Sequence, residues 1–128
     1  MKSSQLIPAA VALLVAAGLA TPAAAAGDAT KGATLFKQRC QLCHVIAPGA
    51  KGTMAPNLLG VVGRKAGSTD FAMYSPQLKA YGKVWTPGLI DQWLASPAKL
   101  VPGARMGINV SDAKDRADAV AYLATLKK

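Results

Sequence analysis

A five-residue motif, CQLCH at positions 40–44, contains both cysteines and the only histidine of this 128-residue chain. Two cysteines alone could form a disulfide, a redox dithiol or half of a zinc site, but a structural zinc site needs two more Cys or His ligands, and the chain cannot supply both. A thioredoxin-like pair normally lies in an alternating strand and helix pattern, which is absent here. The histidine directly after the second cysteine instead predicts c-type haem attachment, with Cys40 and Cys43 bonded to the vinyl groups and His44 bound to the iron.

The first 26 residues have the three parts of a secretory signal peptide. Lys2 gives a positive start, an apolar run extends from Leu6 to Leu19, and small residues precede Gly27. The run is short for a membrane span, which needs about 20 apolar residues, although an uncleaved anchor is the alternative. We therefore expect residues 1–26 to be cleaved, residues 27–128 to form one domain, and the mature protein to be periplasmic.

The mature segment is strongly basic. Removing Lys2 from the 15 Lys and Arg residues leaves 14, against 6 acidic residues, so the net charge is +8. No nucleic-acid partner is expected, because the charges are scattered and no basic cluster is interleaved with aromatics. Scattered charge is often only a solvated surface, but it also favours encounter with an acidic redox protein.

Capping residues and apolar spacing predict helices near both ends of the domain and one short helix between them. The first begins at Asp28 or Thr30 and runs towards Cys40. The last begins near Ser111, and the short helix spans Pro87 to Ala95. No strand pattern is evident, and the remaining segments, rich in Gly and Pro, are predicted to be loops.

The other side of a haem iron bound by His44 has methionine candidates, because the chain contains no second histidine. Met54 follows closely after His44, which leaves little chain to pass round a haem edge. Met73 lies between two aromatic residues, where a role in the core or at the haem edge is favoured. Met106 follows a Pro-Gly turn that could aim a thioether, and the spacing favours it over the other two.

Over residues 28–126 the chain resembles the class I cytochromes c, and in particular the small bacterial carriers related to the mitochondrial protein. The segments that carry the resemblance are, in order, Cys40–His44, Ala55–Gly60, Gly63-Arg64, Tyr74-Ser75, Trp85, Pro102–Met106 and Ala121–Leu123. The resemblance implies an all-α cytochrome c fold in which the N- and C-terminal helices cross. Short middle helices and loops would then enclose one covalent haem c.

The resemblance also implies roles for single residues. Met106 would be the second iron ligand, and the backbone carbonyl of Pro56 would accept a hydrogen bond from the His44 ring. Three residues would contact a buried haem propionate: Arg64, Tyr74 and Trp85. Gly32 would allow the terminal helices to approach closely.

The function implied is transport of single electrons in the periplasm rather than catalysis, because an iron with two protein ligands has no open site. The partners would be acidic redox proteins, namely a membrane quinol-oxidising cytochrome complex and a terminal oxidase or photosynthetic reaction centre. The alternative is a dedicated acceptor for one periplasmic dehydrogenase. A peroxidase or gas sensor would need Met106 to dissociate readily. Docking by a monomer would involve four basic residues at or near positions of the family's lysine ring: Arg39, Lys51, Lys99 and Arg105.

Overall fold

The computed structural model describes residues 26–128 and three isolated earlier positions, 10, 12 and 18. Five helices are present in this part of the chain: α1 Ala29–Arg39, α2 Pro76–Tyr81, α3 Pro87–Ala95, α4 Pro97–Leu100 and α5 Ala113–Thr125. Its only strand-like pairing is a single antiparallel bridge between Lys65 and Val84, so the predicted all-α class is confirmed. None of the described helices is long and apolar enough to cross a membrane. The predicted signal peptide lies almost wholly outside the described residues and stays a prediction.

Aspartate caps begin both terminal helices. The side chain of Asp28 accepts hydrogen bonds from the backbone N–H groups of Thr30 and Lys31, at 2.9 and 3.1 Å, so α1 begins at the earlier of its two predicted caps. Asp112 accepts from the N–H of Asp115 at 2.9 Å, one residue after the predicted start of the last helix. Helix α3 has the predicted bounds.

Two short helices, α2 and α4, lie where the sequence predicted loops. Each begins with proline, whose fixed φ and missing N–H suit the first helical position. Ser75 caps α2 by accepting from the N–H of Leu78 at 3.1 Å, and Gly82 ends it with φ of 70°. Pro97, which stops α3, also starts α4. Helices of six and four residues are too short to show an apolar period.

The terminal helices cross at Gly32, as expected. A Cβ atom added to Gly32 would overlap the backbone carbonyl of Asp118 and crowd the Cβ of Tyr122. Close beside this point the Phe36 and Tyr122 rings lie 5.4 Å apart, centroid to centroid. The crossing therefore depends on the absence of a side chain at Gly32.

Asp118, in α5, forms a hydrogen bond with the residue that caps α1. Its buried carboxylate accepts hydrogen bonds from the Asp28 N–H at 2.7 Å and from the Lys114 ammonium at 3.3 Å. The Asp28 N–H is the main cause that lowers the pKa of Asp118, burial opposes it, and Lys114 lowers the pKa further. The folded state thus prefers the carboxylate.

An Asp118→Asn variant should accordingly lose stability in a pH-dependent way. The stabilisation by a carboxylate with a lowered pKa is fully present above its unfolded value, about 3.9, and is lost as the pH falls through the folded value. Denaturant unfolding should show a parent-minus-variant gap that is constant near neutrality and closes in acid. Asp70→Asn, an exposed site, is the control and should show no such gap. A gap independent of pH would contradict this role.

Candidate haem site

Buried apolar residues from α1, α3, α5 and the loops surround a central cavity of about 440 Å³. All eight residues predicted to bind the haem or its iron line this cavity: Cys40, Cys43, His44, Pro56, Arg64, Tyr74, Trp85 and Met106. The structure therefore brings together residues that lie up to 66 positions apart in the sequence.

The CQLCH motif continues the last turn of α1. The backbone N–H groups of Cys43 and His44 both donate to the carbonyl of Cys40, at 3.0 and 2.9 Å. This turn presents the two half-buried thiols and the imidazole to the same cavity. Neither thiol is in a disulfide, and burial raises the pKa of the Cys40 thiol.

The imidazole of His44 is oriented by a backbone carbonyl. Its Nδ1 lies 2.8 Å from the carbonyl oxygen of Pro56, the partner that the resemblance implied. Donation from Nδ1 leaves the lone pair of Nε2 available to a metal. Burial lowers the pKa of His44, the Pro56 hydrogen bond raises it in part, and the charge of Arg64 lowers it. A neutral imidazole, the form that binds iron, is thereby favoured.

Asn57 shapes the loop that carries Pro56, a role that sequence reasoning did not assign. Its side-chain amide donates to the carbonyls of Ala47 and Ala50, both at 2.8 Å, while its oxygen accepts from the N–H of Leu59 at 2.8 Å. Three hydrogen bonds on one side chain fix the path from residue 47 to residue 59. Asn57 therefore helps to position the Pro56 carbonyl that accepts the hydrogen bond from the His44 ring.

Polar groups enter the cavity at one wall. Arg64 donates one of its five N–H groups to the carbonyl of Leu59 at 3.1 Å, and the hydroxyls of Tyr74 and Thr69 share a hydrogen bond of 2.6 Å. Burial lowers the pKa of Arg64. The remaining guanidinium donors could satisfy a carboxylate, and the propionate contact of Arg64, Tyr74 and Trp85 stays a prediction.

Met106 is held by a tryptophan on α3. The indole N–H of Trp93 donates to the Met106 sulfur, with 3.2 Å between Nε1 and Sδ. Met106 is half-buried, whereas Met54 and Met73 are 66% and 51% exposed. From the sequence, Trp93 is only one residue of the predicted short helix, because no periodic signal connects α3 with the loop at Met106.

Arginines anchor the loops around Met106. Arg39, at the end of α1, donates to the carbonyl of Asn109 at 3.0 Å, and Arg105 donates to the carbonyl of Met73 at 3.2 Å. Arg116 on α5 donates to the carbonyls of Val110 and Ser111, at 3.0 and 2.8 Å. Two of the four predicted docking residues, Arg39 and Arg105, therefore also support the cavity.

The donor set and the walls of the cavity fit a covalent haem. Two unbridged thiols, a neutral imidazole and a thioether face a space bounded mainly by apolar side chains, and a guanidinium at one wall could compensate the negative charge of a propionate. The same residues do not suit a structural zinc site, since no cluster of three or more His, Cys, Asp or Glu able to hold a metal occurs among the described residues.

Comparison with known proteins agrees with the site. The cytochrome c family model matches residues 29–127. The chain is 42% identical to cytochrome c2 of Rhodomicrobium vannielii, over 79% of this chain and 81% of that protein. It is 44% identical to cytochrome c of Theileria annulata, over 76% and 84%, and 41% identical to cytochrome c2 of Rhodopila globiformis, over 79% and 95%. The chain therefore belongs to the cytochrome c family, with one haem c bound covalently through Cys40 and Cys43.

Proposed function

We propose that this protein carries single electrons in the periplasm, from a membrane quinol-oxidising cytochrome complex to a terminal oxidase or photosynthetic reaction centre. Electron transfer by one haem is the common property of the family, whereas the location, the partners and the iron ligands are inferred. The observation that carries the inference is the pairing of His44 and Met106 in one cavity, each oriented by its own hydrogen bond. The similarity of this chain to bacterial cytochromes c2 supports the periplasmic location.

The residues that line the site suit electron transfer rather than a reaction that makes or breaks bonds in a substrate. When bound, the haem supplies a one-electron change at its iron. His44 offers Nε2 from a ring fixed by Pro56, and Met106 offers a sulfur fixed by Trp93. Two protein ligands leave no position for a substrate, so we infer no enzymatic activity. Apolar walls exclude water, and fixed ligands keep the rearrangement between oxidation states small.

The mouth of the cavity offers a docking surface. Three apolar side chains both line the cavity and are about half exposed or more: Met54, Met73 and Ile108. Arg39 and Arg105 line it as well, whereas the other predicted docking residues, Lys51 and Lys99, are exposed outside the lining. This surface suits a transient partner with an apolar contact patch and acidic groups around it. A monomer suffices for such docking.

Salt-dependent kinetics test the proposed partners. Reduction by an isolated quinol-oxidising complex and oxidation by an isolated oxidase should be fast and should slow as the ionic strength rises. Lys51→Gln and Lys99→Gln should reduce the association rate, whereas Lys127→Gln, which removes the same charge outside the docking set, should change it less. Fast reduction by one periplasmic dehydrogenase, with slow reaction at the quinol-oxidising complex, would support the alternative of a dedicated acceptor.

Removing the Trp93 hydrogen bond should lower the reduction potential. Donation to the Met106 sulfur withdraws electron density, which ferric iron needs more than ferrous iron does. Trp93→Phe should therefore stabilise the ferric state and lower the potential by up to about 40 mV, the one-electron equivalent of a hydrogen bond worth about 1 kcal/mol. Redox titration measures the shift. Tyr122→Phe, outside the cavity lining, is the control, and an unchanged or higher potential in Trp93→Phe would refute the role.

A further inference from the structure

Three aromatic side chains lie in series from the haem cavity towards the surface. Trp93 and Trp85 both line the cavity, and their ring centroids are 5.4 Å apart in an edge-to-face arrangement. Tyr81, the last residue of α2, follows with its ring centroid 6.2 Å from that of Trp85. It does not line the cavity and is partly exposed. Both separations are those of aromatic rings in contact.

Ordinary electron transfer does not require this series. A haem bound in the cavity could exchange electrons with a partner directly at the cavity mouth. Indole and phenol rings give up electrons only to much stronger oxidants than a redox partner. Hydrogen peroxide acting at a haem is such an oxidant. Hydrogen peroxide would act in molecules in which Met106 has left the iron.

The end of the series at Tyr81 is suited to releasing a proton. The Lys83 ammonium lies 5.6 Å from the centre of the Tyr81 ring. A positive charge at this position opposes a second positive charge on the ring. Oxidation of Tyr81 therefore requires loss of its phenolic proton, which the partial exposure of the residue allows.

We propose that Tyr81, Trp85 and Trp93 form an electron relay that protects the haem from hydrogen peroxide. Two electrons and two protons reduce the peroxide to two water molecules. One electron would come from the haem group, which an electron from the protein's ordinary redox donor would later restore. The other would pass from Tyr81 through Trp85 and Trp93, and solvent would supply the two protons. The phenolic proton of Tyr81 goes to solvent, which leaves a neutral tyrosyl radical at the surface, where small reductants can quench it. The relay depends on the haem but not on the identity of the redox partners.

Spin trapping of the ferric holoprotein tests the relay. The protein is treated with hydrogen peroxide and a nitroso spin trap, and the adducts at each tyrosine are quantified by peptide mass spectrometry. Tyr74 lines the cavity directly and serves as the internal reference. The adduct at Tyr81 should exceed that at Tyr74 several-fold, and Trp85→Phe should reduce the ratio of the two several-fold. Using a ratio removes any change in the overall reactivity towards peroxide.

Bleaching of the haem by peroxide gives a second readout, and it uses a variant in which Trp85 is unchanged. Tyr81→Phe removes the final donor with little change in shape, so peroxide should bleach its haem faster than that of the parent. Tyr122→Phe is the matched control, since Tyr122 packs against Phe36 outside the cavity lining, and it should bleach at the parental rate. Equal adducts at Tyr81 and Tyr74, a ratio unaffected by Trp85→Phe, or equal bleaching in the two tyrosine variants would overturn the relay.

Discussion

A Cys40→Ala, Cys43→Ala double variant is expected to lose the haem and, with it, most of its helical structure. The cavity of about 440 Å³ lies among the buried side chains of α1, α3 and α5. An empty apolar space of that size would cost on the order of 10 kcal/mol, at about 24 cal/mol per Å³. That is comparable with the whole stability of a typical domain. The covalent haem is therefore the centre of the core as well as the redox group.

Far-UV circular dichroism and thermal melting of the double variant check this dependence. We expect weak helical signal and no cooperative transition. Met54→Ala, which shortens an exposed side chain at the cavity mouth, is the control and should keep both the haem and the melting transition. A double variant that is fully helical and melts cooperatively would show that the polypeptide folds without the haem.

The second large effect is expected at Gly32. A valine there would drive its side chain into the Asp118 carbonyl and the Cβ of Tyr122, and the carbonyl belongs to a helix that cannot yield locally. Overpacking of this kind typically costs about 1–3 kcal/mol, and backbone displacement adds to it. The melting temperature of the holoprotein should fall by at least about 5–10 °C.

Gly88→Ala separates the crossing from a general effect of glycine replacement. Gly88 lies in α3, and a Cβ atom added there meets nothing within 4 Å. Its replacement by alanine should leave the melting temperature unchanged or raise it slightly, because alanine has the higher helix propensity. Equal melting temperatures for Gly32→Val and the parent would mean that the terminal helices do not need close contact at that point.

The parts of the fold that were predicted correctly are marked by strong patterns within short stretches of sequence. The CQLCH motif combines three reactive side chains in five residues, and aspartate caps with apolar stripes mark α1 and α5. The short helices α2 and α4 were missed because a proline start reads as loop when no apolar period follows. The available signals for α2 were Ser75 as its cap, Pro76 at its first position and Gly82 at its end.

Several hydrogen bonds that position the site were not predicted from the sequence. The Trp93 donation to Met106 joins a helix to a loop, and the three hydrogen bonds of Asn57 close a turn whose shape depends on backbone carbonyls. Likewise, the family resemblance implied a docking role for Arg39, but only its hydrogen bond to the Asn109 carbonyl reveals a structural one. Such partners are backbone atoms or side chains in unrelated segments, which leave no spacing pattern.

The central claim is that Met106 binds the haem iron opposite His44, and the ferric absorption spectrum tests it most directly. Methionine coordination gives a weak band in the far red. We predict that this band is present in the parent, persists in Met54→Leu and Met73→Leu, and disappears in Met106→His. Its persistence in Met106→His, or its loss in Met54→Leu or Met73→Leu, would contradict the assignment of Met106 and, with it, the closed electron-transfer site.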